Sequence, residues 1–172
     1  MKFEKFVKSL ATSGVIYEQG ILKDRWLASP SVFMLIPVGV RSVTAAAIQP
    51  MPNAIEQMVE QIGHTEYAEL VKAVMPVPDG GIKDCVRIFA TKDGSMKIPI
   101  SNDDWSLIEK SDFCEILYTY DIEEETTEVK ALLVKRYPEF PDDDDQLVGI
   151  IFPCNYEEQL NFYTMKEENK NG

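Results

Sequence analysis

The sequence predicts an α+β protein whose antiparallel sheet is built from two β-α-β-β-β-like units, with a helical hairpin inserted at about residues 50–84. Three observations carry that expectation. A length of 172 residues suits a single domain, 1–172, and 45% hydrophobic content supplies a core that a disordered chain lacks. Several short runs alternate apolar and polar side chains with a period of two, the mark of half-buried strands. The same order of elements, a short helix leading into three strands, occurs near the N-terminus and again after Ile100.

Each element follows from its local pattern. Phe3, Phe6, Val7 and Leu10 fall at i, i+3, i+4 and i+7 with Lys2, Lys5 and Lys8 off that stripe, so residues 3–10 form an amphipathic helix. Strands follow at 15–18, 25–29 and 32–37, separated by Gln19-Gly20 and Ser29-Pro30. A connection rich in Pro and Ala spans 38–52. Ile55, Met58, Val59 and Ile62 make a helical stripe closed by Gly63, and Tyr67, Leu70, Val71 and Val74 make another closed by Pro76; together they predict the hairpin. Strands return at 85–91 and 96–100 around a Lys92-Asp93-Gly94 turn. Ser101 and Asn102 offer caps, and Asp103 and Asp104 favour a helix dipole, so a helix spans 103–110. Strands at 113–121, 129–137 and 146–152 complete the set. The tail, about 155–172, opens on a short helix with Asn155 as its cap and Glu158 three residues on.

The chemistry is narrowed by exclusion. Residues 1–12 interleave Lys2, Glu4, Lys5 and Lys8 with hydrophobes, unlike a secretory leader, and the uncharged stretch 27–40 contains Pro30 and Pro37 and is shorter than the roughly 20 residues of a spanning helix. No membrane segment is expected. Cys85, Cys114 and Cys154 are odd in number and widely spaced, which suits reduced thiols in a cytoplasmic protein. One histidine, His64, placed in the turn between the two hairpin helices, cannot supply a paired zinc set or an evident nucleophile partner. No phosphate-cradling or hydrolase motif occurs, so no cofactor is implied and no catalytic residue is singled out.

Charge is the strongest remaining signal. Seventeen basic and 29 acidic side chains give a net charge of -12, which disfavours holding nucleic acid or anionic lipid by general charge neutralisation. The excess is uneven: residues 1–100 hold eleven basic and ten acidic side chains, residues 101–172 six and nineteen. Two electrostatically different sides are expected, with DNA contact open to the helix bearing Lys2, Lys5 and Lys8. The densest acid lies at Glu123, Glu124 and Glu125 and at Asp142, Asp143, Asp144 and Asp145, both in loops. Such runs serve as solvated faces, cation sites or surfaces for basic partners. Four consecutive aspartates cannot all turn toward one ion, so a metal held at 142–145 would be weakly bound.

A doubled β-α-β-β-β unit resembles the plan of one domain of the DNA sliding clamps, and Met1-Lys2-Phe3 running into a helix resembles the start of the bacterial clamp subunit. The resemblance covers the chain outside the 50–84 insertion. It implies a clamp-like fold, an acidic protein whose inner helices face DNA, and several copies in any ring. The second helix departs from that pattern, with Asp103, Asp104 and Glu109 against Lys110. In size and style the chain also resembles small proteins carried by bacterial prophages. Gln159, Leu160 and Phe162, within Gln159-Leu160-Asn161-Phe162-Tyr163, resemble the short peptide by which replication proteins dock on bacterial clamps, two apolar side chains filling a groove while the glutamine sets register.

The leading expectation is a non-enzymatic cytoplasmic binding protein with a sliding-clamp-like fold. It would act through a protein partner, with DNA contact through the N-terminal helix and self-association both open. Two alternatives use the acidic residues differently: an inhibitor that mimics DNA, and a metal-assisted hydrolase built on Asp103, Asp104 and 142–145.

Overall fold

Helix α1 (Phe3–Leu10) forms where the apolar stripe predicts it, burying Phe6 and packing Phe3, Val7 and Leu10 on the sheet. The computed structural model describes residues 1–10, 13–19, 24–40, 43–76 and 85–154. Strands β1 (Val15–Gln19), β2 (Asp24–Ala28) and β3 (Val32–Leu35) form the expected meander, with Trp26 opposite both Tyr17 and Leu35. Ser29 shapes the β2–β3 turn by accepting from the Val32 amide at 3.0 Å. Then come β4 (Ala47–Pro50), α2 (Asn53–Val59), β5 (His64–Pro76), β6 (Cys85–Thr91) and β7 (Lys97–Ser101). The second unit follows as α3 (Asn102–Trp105), β8 (Asp112–Asp121), β9 (Thr126–Arg136) and β10 (Gln146–Ile151).

Among the described residues the ten strands join in one sheet, ordered β4-β1-β2-β3-β10-β9-β8-β5-β6-β7. Only the β1–β4 pair is parallel there. At the centre β3 and β10 run antiparallel, with Phe33 opposite Ile150. An approximate two-fold axis through that seam carries β1-β2-β3 onto β8-β9-β10. It also requires the helix leading each meander to lie on the same face, and α1 and Trp105 of α3 do share one core, with Ile16, Met34, Leu132 and Val134 beneath them.

The opposite face carries α2. Ile55, Met58 and Val59 pack there on Trp26, Phe33, Leu117, Ala131 and Leu133. Covering both faces explains why Ala131 to Val134 of β9 are buried without interruption, where a half-solvated strand would alternate.

Three expectations are corrected. The hairpin at 50–84 has only its first helix: α2 ends at Val59, and the second stripe lies in β5, which pairs antiparallel with β8 and β6. Tyr67, Leu70, Val71 and Val74 meet helical spacing, but the period-two reading of the same residues places Ala68 in the core with Tyr67 and Glu69 exposed. Pairing with a strand about fifty residues away outweighs the local pattern. His64 therefore opens a strand instead of bridging two helices. Gly63 makes the reversal with φ 139, where an added Cβ would stand 3.0 Å from the Tyr118 carbonyl oxygen. The connection at 38–52 contains β4, whose terminal Pro50 is tolerated at a sheet edge. The helix expected at 103–110 is one turn long, capped by Ser101, whose hydroxyl accepts from the Asp104 amide at 3.1 Å.

Candidate partner-binding surfaces

Lys5 and Lys8 lie on the exposed side of α1, with Lys2 three residues earlier just before the helix, because the stripe beside them faces the core. Lys2 Nζ donates to the Ser106 carbonyl at 2.8 Å and Lys5 Nζ to Ser106 Oγ at 2.7 Å. The Lys2 amide reaches Leu107 O at 2.7 Å. These bonds set α1 alongside the segment that follows α3. The row of lysines, with Phe3 and Arg136, lines an open hollow of about 610 Å³.

A charge cluster lies beneath the hollow. The Met1 ammonium, 1% exposed, donates to Asp112 Oδ2 of a side chain wholly shielded from solvent. Arg136 donates to Asp112 Oδ1 through Nε at 3.2 Å and Nη2 at 3.1 Å, and the Glu109 amide donates to Oδ2 at 3.0 Å. Glu109 Oε1 stands 3.6 Å from both cations. Two cations and two carboxylates balance, so the shielded Met1–Asp112 pair, with the part-exposed Glu109 and Arg136 at its edge, carries no net charge. The Met1 side chain fills the space over Gly149, where a Cβ would fall 1.9 Å from its sulfur.

The acidic runs are separated. Glu123, Glu124 and Glu125 occupy the exposed β8–β9 turn, held by Asp121 Oδ1 accepting from the amides of Glu123 at 2.8 Å and Glu124 at 3.1 Å. Asp142, Asp143, Asp144 and Asp145 are exposed in the β9–β10 loop. The two loops sit at opposite ends of the 11-residue strand β9, roughly 33 Å apart at about 3.3 Å per residue. Arg136 ends β9 beside Met1, so the N-terminus of α1 lies at the same end as the aspartate run. The expected division into two electrostatic sides therefore does not follow the division of the sequence: the lysine row begins at the end of the sheet from which the aspartate loop leaves. Among the described residues, no three His, Cys, Asp or Glu side chains are grouped to hold a metal ion. Gln159, Leu160 and Phe162 lie outside the described residues.

The described thiols are poor nucleophiles. Burial, aided by the Asp112 charge, pushes the Cys114 thiol up to about 12, and burial pushes Cys154 up to about 11, its Sγ donating to Pro99 O at 3.3 Å. His64 is exposed and stacks on Tyr118 with centroids 5.4 Å apart, beside Tyr120 in an open hollow of about 470 Å³. Asp104, half-buried, has its carboxyl pushed up by desolvation, an effect that hydrogen bonds from Ser101 and Ser31 oppose.

One surface was missed at the sequence level. Past the area that α2 covers, the same sheet face presents Tyr67, Glu115, Phe113, Lys135 and Tyr137. Register places them together: Tyr67 pairs with Glu115 and Phe113 with Lys135. Phe113 and Tyr137 stack at 4.5 Å, and Lys135 Nζ meets Glu115 Oε2 at 2.7 Å. The signal was the alternation Tyr67-x-Glu69, Phe113-x-Glu115 and Lys135-x-Tyr137, legible only once 64–76 is a strand.

No protein family, curated protein or solved structure matches this chain. Among the described residues, no helix is long and apolar enough to cross a membrane.

Proposed function

We propose that this protein is a non-enzymatic, cytoplasmic binding protein of sliding-clamp-like architecture, which works through macromolecular partners and meets polyanions such as DNA with its α1 side. The observation that supports the reading is the two-fold arrangement: two meanders joined at β3–β10, each led by a helix, both helices on one face and tied together at Ser106. A surface of that kind offers a broad platform. The Cys114 thiol is buried, that of Cys154 is half-buried, and both are hard to ionise, which favours contact over covalent catalysis at these positions.

Anisotropy of a labelled DNA duplex across a salt series, paired with light scattering after size exclusion, tests the proposal. Binding should weaken steeply with salt, and the double substitution Lys5→Glu, Lys8→Glu should weaken it further. A strict monomer that binds neither DNA nor any protein would overturn it.

A further inference from the structure

We infer that the aromatic face around Tyr67 and Tyr137 docks an arginine-rich segment of a protein partner. The inference rests on the reading of the chain as a binding protein and supplies the partner's chemistry.

The argument begins with exposure. Tyr137 is 63% exposed although its ring lies against Phe113, and Tyr67 is half-exposed on the neighbouring part of the same face. Stacking on Phe113 holds the Tyr137 ring in place, which lowers the ordering cost when a ligand lands on it. Aromatic rings left open beside one another are a surface awaiting a planar or apolar contact.

Charge selects among occupants. Glu69 sits two residues from Tyr67 on the same strand face and is exposed. The loop leaving Tyr137 carries Glu139 and the four aspartates 142–145, all exposed. Among the described side chains, Lys135 is the cation within this face, and it is held by Glu115 at 2.7 Å. The surroundings are therefore negative, which repels nucleic acid and attracts a basic chain. A guanidinium fits better than an ammonium: it is flat, weakly hydrated, stacks on a tyrosine ring, and donates forked hydrogen bonds to nearby carboxylates.

The experiment uses fluorescein-labelled nona-arginine, nona-lysine and nona-glutamate peptides with the full chain at physiological ionic strength, read by anisotropy. Nona-arginine should bind saturably and several-fold tighter than nona-lysine, with nona-glutamate silent. Tyr137→Ala and Tyr67→Ala should each weaken arginine binding on the order of three- to tenfold, while Tyr137→Phe should retain it. Replacing Glu123, Glu124 and Glu125 by Gln at the far end of β9 should change it less than twofold. Equal affinity for the two basic peptides, or a loss that follows only the number of acidic groups removed, would overturn the inference in favour of unspecific charge attraction. Self-association that Tyr137→Ala dissolves would overturn it in favour of a second copy as occupant. Absence of arginine binding alongside intact DNA binding would overturn it and leave the proposed function standing.

Discussion

Helices α1 and α2 are nearly equal in length, eight and seven residues, and cover opposite faces of one sheet, yet they are held very differently. Helix α1 buries Phe6, hangs from a shielded ammonium–carboxylate cluster at Met1, and ties two lysines to Ser106. Helix α2 buries none of its residues, starts at Pro52 without a side-chain cap, and has no basic residue in its last turn. Helices this short are marginal in water on their own, so the difference lies in tertiary attachment rather than propensity. The lesson is that α1 belongs to the framework, while α2 is a cover resting on an apolar sheet face.

The sharpest way to break that contrast is at the cluster. Asp112→Ala leaves the Met1 ammonium and Arg136 without their shared carboxylate and should cost about 3–5 kcal/mol, measured by urea denaturation. A loss below about 1 kcal/mol would mean that α1 is held by apolar packing alone.

Next in size is Gly149→Ala. The added methyl group meets the Met1 sulfur, and displacing that side chain should cost about 1–3 kcal/mol. Pairing it with a smaller residue at position 1 should recover part of the loss.

On the α2 side, Met58→Ala removes a half-buried contact and should cost about 1 kcal/mol. Hydrogen exchange sharpens the comparison, because amides of α2 should exchange well ahead of those in α1. Equal protection of the two helices would end the distinction.

A pH dependence is also expected at Cys114. Its thiol is raised from 9.0 to about 12, so the folded protein keeps a proton that the unfolded chain releases. This contribution is fully present below about pH 9 and is lost as pH climbs toward 12. Denaturation midpoints of the wild type should therefore fall between pH 8.5 and 10.5 by more than those of Cys114→Ala. Parallel curves for the two proteins would contradict the assignment.

Legibility in the sequence varied with the range of the interactions. The stripe of α1, the meander of β1 to β3 and strand β6 were readable because a single face or turn decides each of them. The β5 segment was not, since Tyr67, Leu70, Val71 and Val74 satisfy two periods at once and only the β8 partner selects between them. Lys2, Lys5 and Lys8 were found as a row on a helix, but their engagement with Ser106 depends on a residue about a hundred positions away. The acidic runs were found as loops, and their separation along β9 could not be, because net charge counts residues without placing them.

What the sequence determined by itself was the α+β class, the order of nearly all the elements and the duplication of a helix leading a three-strand meander. Those properties are set by side-chain periodicity and turn chemistry over a few residues. Only the tertiary structure decided which strand 64–76 joins, that Met1 closes a charge cluster with residues 109, 112 and 136, and that aromatic side chains from β5, β8 and the loop after β9 share one open face. Each of these depends on contacts distant in sequence, where burial and register choose between local patterns that are otherwise equally good.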